Sequence, residues 1–203
     1  MKPEIIVGHF SLIRSFHLAD VFTLANGGCG IGALLLAVRH AADGLDRHLY
    51  VAGVLIVLAL VFDVLDGRIA RWRGEHSAFG RELDSLADIV SFGAAPAALG
   101  YAAGLGTPLD VAILVFFALC GLSRLARYNV TATNLSDAAG KLSYFEGTPI
   151  PTSVLPLALL LGGVQRGTLL PATLGPVELH LLALPFAISG CLMVSRTLHI
   201  PKP

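Results

Sequence analysis

Six stretches of the chain are dense in apolar residues, at about 20–38, 48–70, 84–105, 109–128, 151–165 and 177–196. All but the fifth approach the roughly 20 residues that a helix needs to cross a bilayer. The fifth is short, and Pro156 within it predicts a distorted helix. The pattern predicts an all-α polytopic membrane protein with six transmembrane helices, forming one membrane domain over residues 1–203. Ahead of the first span, Phe10, Ile13 and Phe16–His17 can line one face of a short interfacial helix. Tyr50, Trp72 and Tyr101 fall near predicted span ends, where aromatic side chains suit the membrane interface.

Composition agrees. Of 203 residues, 55% are hydrophobic and 14% charged, against about 25% charged in soluble domains. The mean hydropathy is +0.74. A net charge of zero gives no general attraction to nucleic acid. Cys29, Cys120 and Cys191 lie far apart in apolar segments with no CxxC spacing, as small buried residues do. The seven histidines show no HExxH or paired metal-ligand spacing.

Six spans put both termini on one side of the membrane. That side then carries eleven of the fourteen Lys and Arg, leaving Arg39, Arg47 and Arg166 on the other. The positive-inside rule therefore predicts cytoplasmic termini, together with two cytoplasmic loops at about 71–83 and 129–150.

Polar residues inside these spans are the informative departures. Asp63 and Asp66 interrupt the second span, and Asp84 and Asp88 open the third. An aspartate at the centre of a membrane helix costs about 2.5–3.5 kcal/mol on insertion scales, so four near one surface require a counterpart. Pairing with Arg68, Arg71 and Arg81 at the water interface is one reading. Helical geometry favours another. At about 100° per residue, Asp63, Asp66, Gly67 and Ala70 share one arc of the second helix. Gly80, Asp84 and Asp88 recur every fourth residue and share a face of the next. Two carboxylates from each helix can then converge. Carboxylate oxygens suit Mg²⁺ or Mn²⁺, ions that also hold substrate phosphates. The small residues Gly67, Ala70 and Gly80 leave space for a nucleotide diphosphate against the backbone. Asn26 interrupts the first span and faces either this cavity or a neighbouring helix.

The arrangement Asp63-x2-Asp66-Gly67-x2-Ala70-Arg71-x8-Gly80-x3-Asp84-x3-Asp88 resembles in full the signature of the CDP-alcohol phosphotransferase family. The six-helix layout is similar over nearly the whole chain. The resemblance implies that Asp63, Asp66 and Asp84 ligate Mg²⁺ or Mn²⁺. It implies that Asp88 is the general base and touches a second metal. It also implies that Asp63, Asp66, Gly67, Ala70, Arg71 and Gly80 form the cytidine-nucleotide site, and that the enzyme is a homodimer.

Two further segments, CGLSRLARYN with Arg124, Arg127 and Asn129, and YFEGTPIPTS over residues 144–153, look like the phosphatidylserine-synthesising branch of that family. That branch implies CDP-diacylglycerol as donor and L-serine as acceptor. Arg124 or Arg127 can bind the serine carboxylate as a planar fork, and Glu146 can face its ammonium. Positive-inside anchoring and a proline-stiffened span entry are the structural alternatives for these segments. Siblings using glycerol 3-phosphate or inositol phosphate also want arginines. A cation or proton transporter would instead spread its carboxylates across membrane depth.

Overall fold

The computed structural model describes residues 17–74, 77–137, 144–174, 177–195, 197 and 199–201. The expected interfacial helix before the first span lies outside the described residues. The chain is mostly helical. Helices α1 (Leu18–Asp43), α2 (Arg47–Arg73) and α5 (Pro108–Asp137) each contain a segment long and apolar enough to cross a membrane. Between them, α3 (Ala78–Asp88) continues through a π-helical turn (Ile89–Ala94) into α4 (Ala95–Ala102). Two shorter apolar helices follow, α6 (Val154–Gln165) and α7 (Leu184–Val194), each entered through a 3-10 turn. With its apolar helices and large aliphatic side chains such as Leu35, Val38, Val54 and Leu155 turned outward, the chain is built as an integral membrane protein.

Small residues let the helices approach closely. Ala33 and Ala37 of α1 and Ala52, Ile56 and Ala59 of α2 are buried in one core. A Cβ added at Gly32 would stand 3.1 Å from Leu55. At Gly190 of α7 it would meet the Phe117 backbone of α5 at 3.3 Å. Nearby, the rings of Phe117 and Phe186 meet edge to face at 5.3 Å. Ile150 fills the hollow left by Gly121 and touches the one at Gly93 that Ile89 fills, tying the segment before α6 to both α5 and the π turn.

Several element boundaries differ from the sequence expectation. The 71–83 connection is much shorter than expected. Helix α2 runs on to Arg73 and ends at Gly74, whose φ of 67° permits a left-handed cap, and α3 already starts at Ala78. Ser77 caps that start, its Oγ accepting from Gly80 N at 2.8 Å. The 129–150 loop is likewise shortened, because α5 extends to Asp137. Pro156 does not distort the fifth apolar helix. It lies in the first turn of α6, where no backbone donor is needed. The π turn was not foreseen, although Pro96 signals it. Proline has no N–H to offer Phe92 O, and its ring crowds that carbonyl, so the helix widens just before it.

The all-α expectation also misses short strands. β1 (Tyr144–Glu146) pairs antiparallel with β4 (His199–Pro201), and β2 (Pro171–Leu174) pairs with β3 (Val177–His180). The second hairpin replaces the first turn of the predicted sixth span, so that helix begins only after His180. Asp110, fully buried at the start of α5, holds the hairpin. Its carboxylate accepts from His180 N at 3.0 Å and Thr107 N at 3.1 Å, and lies 2.7 Å from His180 Nδ1.

Candidate active site

Helices α2 and α3 both pack on α1, which brings their aspartates together. Carboxylate oxygens of Asp63, Asp66 and Asp84 all lie within 4.8 Å of one another. Asp66 is buried and the other two are half-buried. Asp84 Oδ1 is buried without a hydrogen-bond partner among the described residues. An acceptor in that state is stable only with a counterpart to fill it. Three oxygen donors so close together, one of them unsatisfied, fit a hard divalent cation such as Mg²⁺ or Mn²⁺.

Asp88 stands one turn beyond Asp84 and outside this trio, with only 6% of its surface exposed. Its Oδ1 accepts from Asn26 Nδ2 at 3.0 Å. Asn26, fully buried on α1, therefore meets both alternatives left open by the sequence: it bonds a neighbouring helix, and it does so at the carboxylate cluster. Thr23, one turn earlier on α1, donates to Asp66 Oδ2 at 2.9 Å. Sequence reasoning passed over Thr23. The signal was the stripe Asp20, Thr23, Asn26, Gly30, which recurs at three- and four-residue steps along one face of α1.

The glycines of the motif divide. At Gly67 a Cβ would meet only Arg71 Nη1, at 3.6 Å, so this part of α2 is open. Arg71 itself is exposed at the end of the helix. At Gly80 a Cβ would stand 2.9 Å from Asp20 Oδ1 and 3.0 Å from Ser77 Oγ. The missing side chain there admits the start of α1 and the helix cap. Ala70 is half-buried.

Arg124 approaches the cluster from α5. It is 9% exposed, lies within electrostatic reach of Asp63, Asp84 and Asp88, and stands 5.9 Å from the Tyr128 ring centroid. Among the described residues its Nε is buried without a partner, as is Nη2 of the half-buried Arg127. Asn129 braces this face of α5 against α3, donating from Nδ2 to Glu82 Oε2 at 3.1 Å and to Ser85 Oγ at 3.0 Å. Glu146 lies in β1 opposite His199, and its side chain falls outside the described part of the molecule.

The family model of the CDP-alcohol phosphatidyltransferases matches residues 16–192. The chain belongs to that family. The match takes in every aspartate of the cluster together with Thr23, Asn26 and both arginines. Family members generally use a divalent metal, in keeping with the three convergent carboxylates. Among similar proteins, the CDP-diacylglycerol–serine O-phosphatidyltransferase of Saccharomyces cerevisiae is 45% identical, over 96% of this chain and 74% of its own length. The archaetidylserine synthase of Methanothermobacter thermautotrophicus is 35% identical, over 70% of this chain and 56% of its own. The Bacillus subtilis CDP-diacylglycerol–serine O-phosphatidyltransferase is 33% identical, over 71% of this chain and 75% of its own.

Proposed function

We propose that this family member is a phosphatidylserine synthase, transferring the phosphatidyl group of CDP-diacylglycerol to the hydroxyl of L-serine with release of CMP. The observation that carries an anionic acceptor is Arg124, and among anionic acceptors the names of the relatives favour serine. An arginine nine-tenths buried, with an unsatisfied Nε beside three carboxylates, suits an anionic acceptor held next to the reacting phosphate. The naming of the yeast and Bacillus relatives supports the same acceptor.

In this reading Asp63, Asp66 and Asp84 would hold Mg²⁺ or Mn²⁺, whose positive charge would offset the negative charge developing on the departing CMP. The open backbone at Gly67, with Ala70 and Arg71, receives the cytidine nucleotide, while Gly80 makes room for Asp20 and Ser77 instead. Arg124, with Arg127 one turn away, orients the serine carboxylate, and Glu146 faces the ammonium. Asp88 takes the proton of the serine hydroxyl as its oxygen bonds to the phosphatidyl phosphorus. The bond from that phosphorus to CMP breaks, and CMP leaves with the bonding pair. Burial of Asp88 and Arg124 keeps bulk water from competing with serine for the phosphorus.

The same reading includes six membrane crossings, with α3–α4, α6 and α7 joining the three long helices. Both termini and the carboxylate cluster face the cytoplasm, and one domain over residues 1–203 acts as a homodimer. The basic residues near the cluster, Arg68, Arg71, Arg73 and Arg81, support that orientation. The test is CMP release by the purified protein with CDP-diacylglycerol and a panel of acceptors. Serine should be preferred. Turnover with glycerol 3-phosphate or inositol phosphate but not with serine would overturn the acceptor while leaving the family intact.

A further inference from the structure

Helix α1 contributes nothing to the aspartate motif, yet it makes two polar contacts with the carboxylates. Thr23 Oγ1 has one proton and two acceptors in range, Asp66 Oδ2 at 2.9 Å and Ala19 O at 3.2 Å. The shorter, charge-assisted bond to Asp66 is the stronger. Asn26 Nδ2 donates to Asp88 Oδ1 at 3.0 Å. The amide orientation is set by this contact, since the reverse would turn a carbonyl oxygen onto a carboxylate. Both side chains are almost wholly buried, at 3% and 0% exposed.

The register of α1 on α3 and the π turn is held by separate contacts. Ser91 Oγ donates to Asn26 O at 2.9 Å. A Cβ at Gly27 would touch Ala87 at 3.4 Å, and Gly30 leaves the room that Ser91 occupies. Thr23 and Asn26 can therefore lose their side-chain donors while α1 stays in place. These contacts also leave Asp66 Oδ1 and Asp88 Oδ2 without a bond from α1.

We propose that Thr23 and Asn26 are positioning residues. Each holds one oxygen of a carboxylate, so that Asp66 presents a single oxygen to the cation and Asp88 a single oxygen to the acceptor hydroxyl. This rests on the roles given to Asp66 and Asp88 above. It adds that the first helix, outside the signature, divides the labour: Thr23 serves cation binding and Asn26 serves proton transfer.

The test uses the full-length purified protein and four forms: wild type, Thr23→Val, Thr23→Ser and Asn26→Leu. Mn²⁺ binding without substrates is read by electron paramagnetic resonance. CMP release is measured with whichever acceptor the wild type uses best, so failure of the serine assignment does not touch this result. Thr23→Val should weaken Mn²⁺ binding about tenfold or more, the usual effect of losing a partner behind a metal ligand, and Thr23→Ser should restore it. Asn26→Leu should bind Mn²⁺ as the wild type does. Its kcat should fall by about 10² at unchanged KM for donor and acceptor, the loss typical of a misplaced base. Wild-type Mn²⁺ affinity in Thr23→Val would overturn the first role. For Asn26→Leu, an unchanged kcat, or parallel loss of Mn²⁺ binding, both KM values and thermal stability, would overturn the second.

Discussion

Replacing Arg124 by alanine tests the acceptor pocket most directly. The side chain is nine-tenths buried, and its Nε has no partner among the described residues. A serine carboxylate seated against it would lose a charged, desolvated contact, an effect of about 2–5 kcal/mol. At roughly 1.4 kcal/mol per decade, that is about 30-fold to several thousand-fold in serine KM. The lower end is expected, because Arg127, three residues along α5 and half-buried with an unpartnered Nη2, can take part of the load. Arg124→Ala should thus raise serine KM by at least about 30-fold, Arg127→Ala by less, and Arg124→Lys should fall between, keeping the charge but losing the fork. The sign of a second effect separates this from general damage. Arg124 opposes a cation at the neighbouring Asp63 and Asp84, so its removal should leave Mn²⁺ binding unchanged or tighter. The assay is initial-rate CMP release across serine and CDP-diacylglycerol concentrations, with Mn²⁺ titration of the same preparations. A serine KM within twofold of wild type, or an equal rise in donor KM, would refute the assignment.

Three further outcomes follow from the same geometry. Asp84→Asn, which alters the carboxylate with the unsatisfied buried oxygen, should abolish Mn²⁺ binding and CMP release, as chelation should in the wild type; activity in excess chelator would exclude the metal site. Gly147→Ala should lower thermal stability: φ is +74°, a left-handed backbone that costs a side chain about 1–2 kcal/mol, and the new Cβ would collide with the carbonyl of Met193 and stand 3.0 Å from that of Leu192. A wild-type melting temperature would show that the loop yields freely. In a background without Cys29, Cys120 and Cys191, Arg73→Cys should be shielded from an impermeant thiol reagent added to intact cells, while Arg166→Cys should react; the reverse pattern would invert the topology.

The membrane class and the carboxylate cluster were legible in the sequence because both arise from local periodicity. Apolar runs of bilayer length need no tertiary information. Asp63 with Asp66, and Asp84 with Asp88, sit on helical faces fixed by about 3.6 residues per turn, and the family signature they match joins them in one site. The chain could not by itself disclose what meets those faces from a distance. Thr23 reaches Asp66 across 43 residues and Asn26 reaches Asp88 across 62. Gly80 is small in the sequence for any of several reasons, and only the packing shows Asp20 and Ser77 occupying the space beside it. Arg124 and Arg127 are equivalent as letters; the rotation of α5 buries the first beside the aspartates and leaves the second half-exposed. The strands at 171–180 replaced a helical turn because buried Asp110, some 70 residues earlier, accepts the backbone N–H of His180. Spacing along one helix is written in the chain, whereas the partner of a buried polar group is settled only when separate helices pack and each donor must find its acceptor.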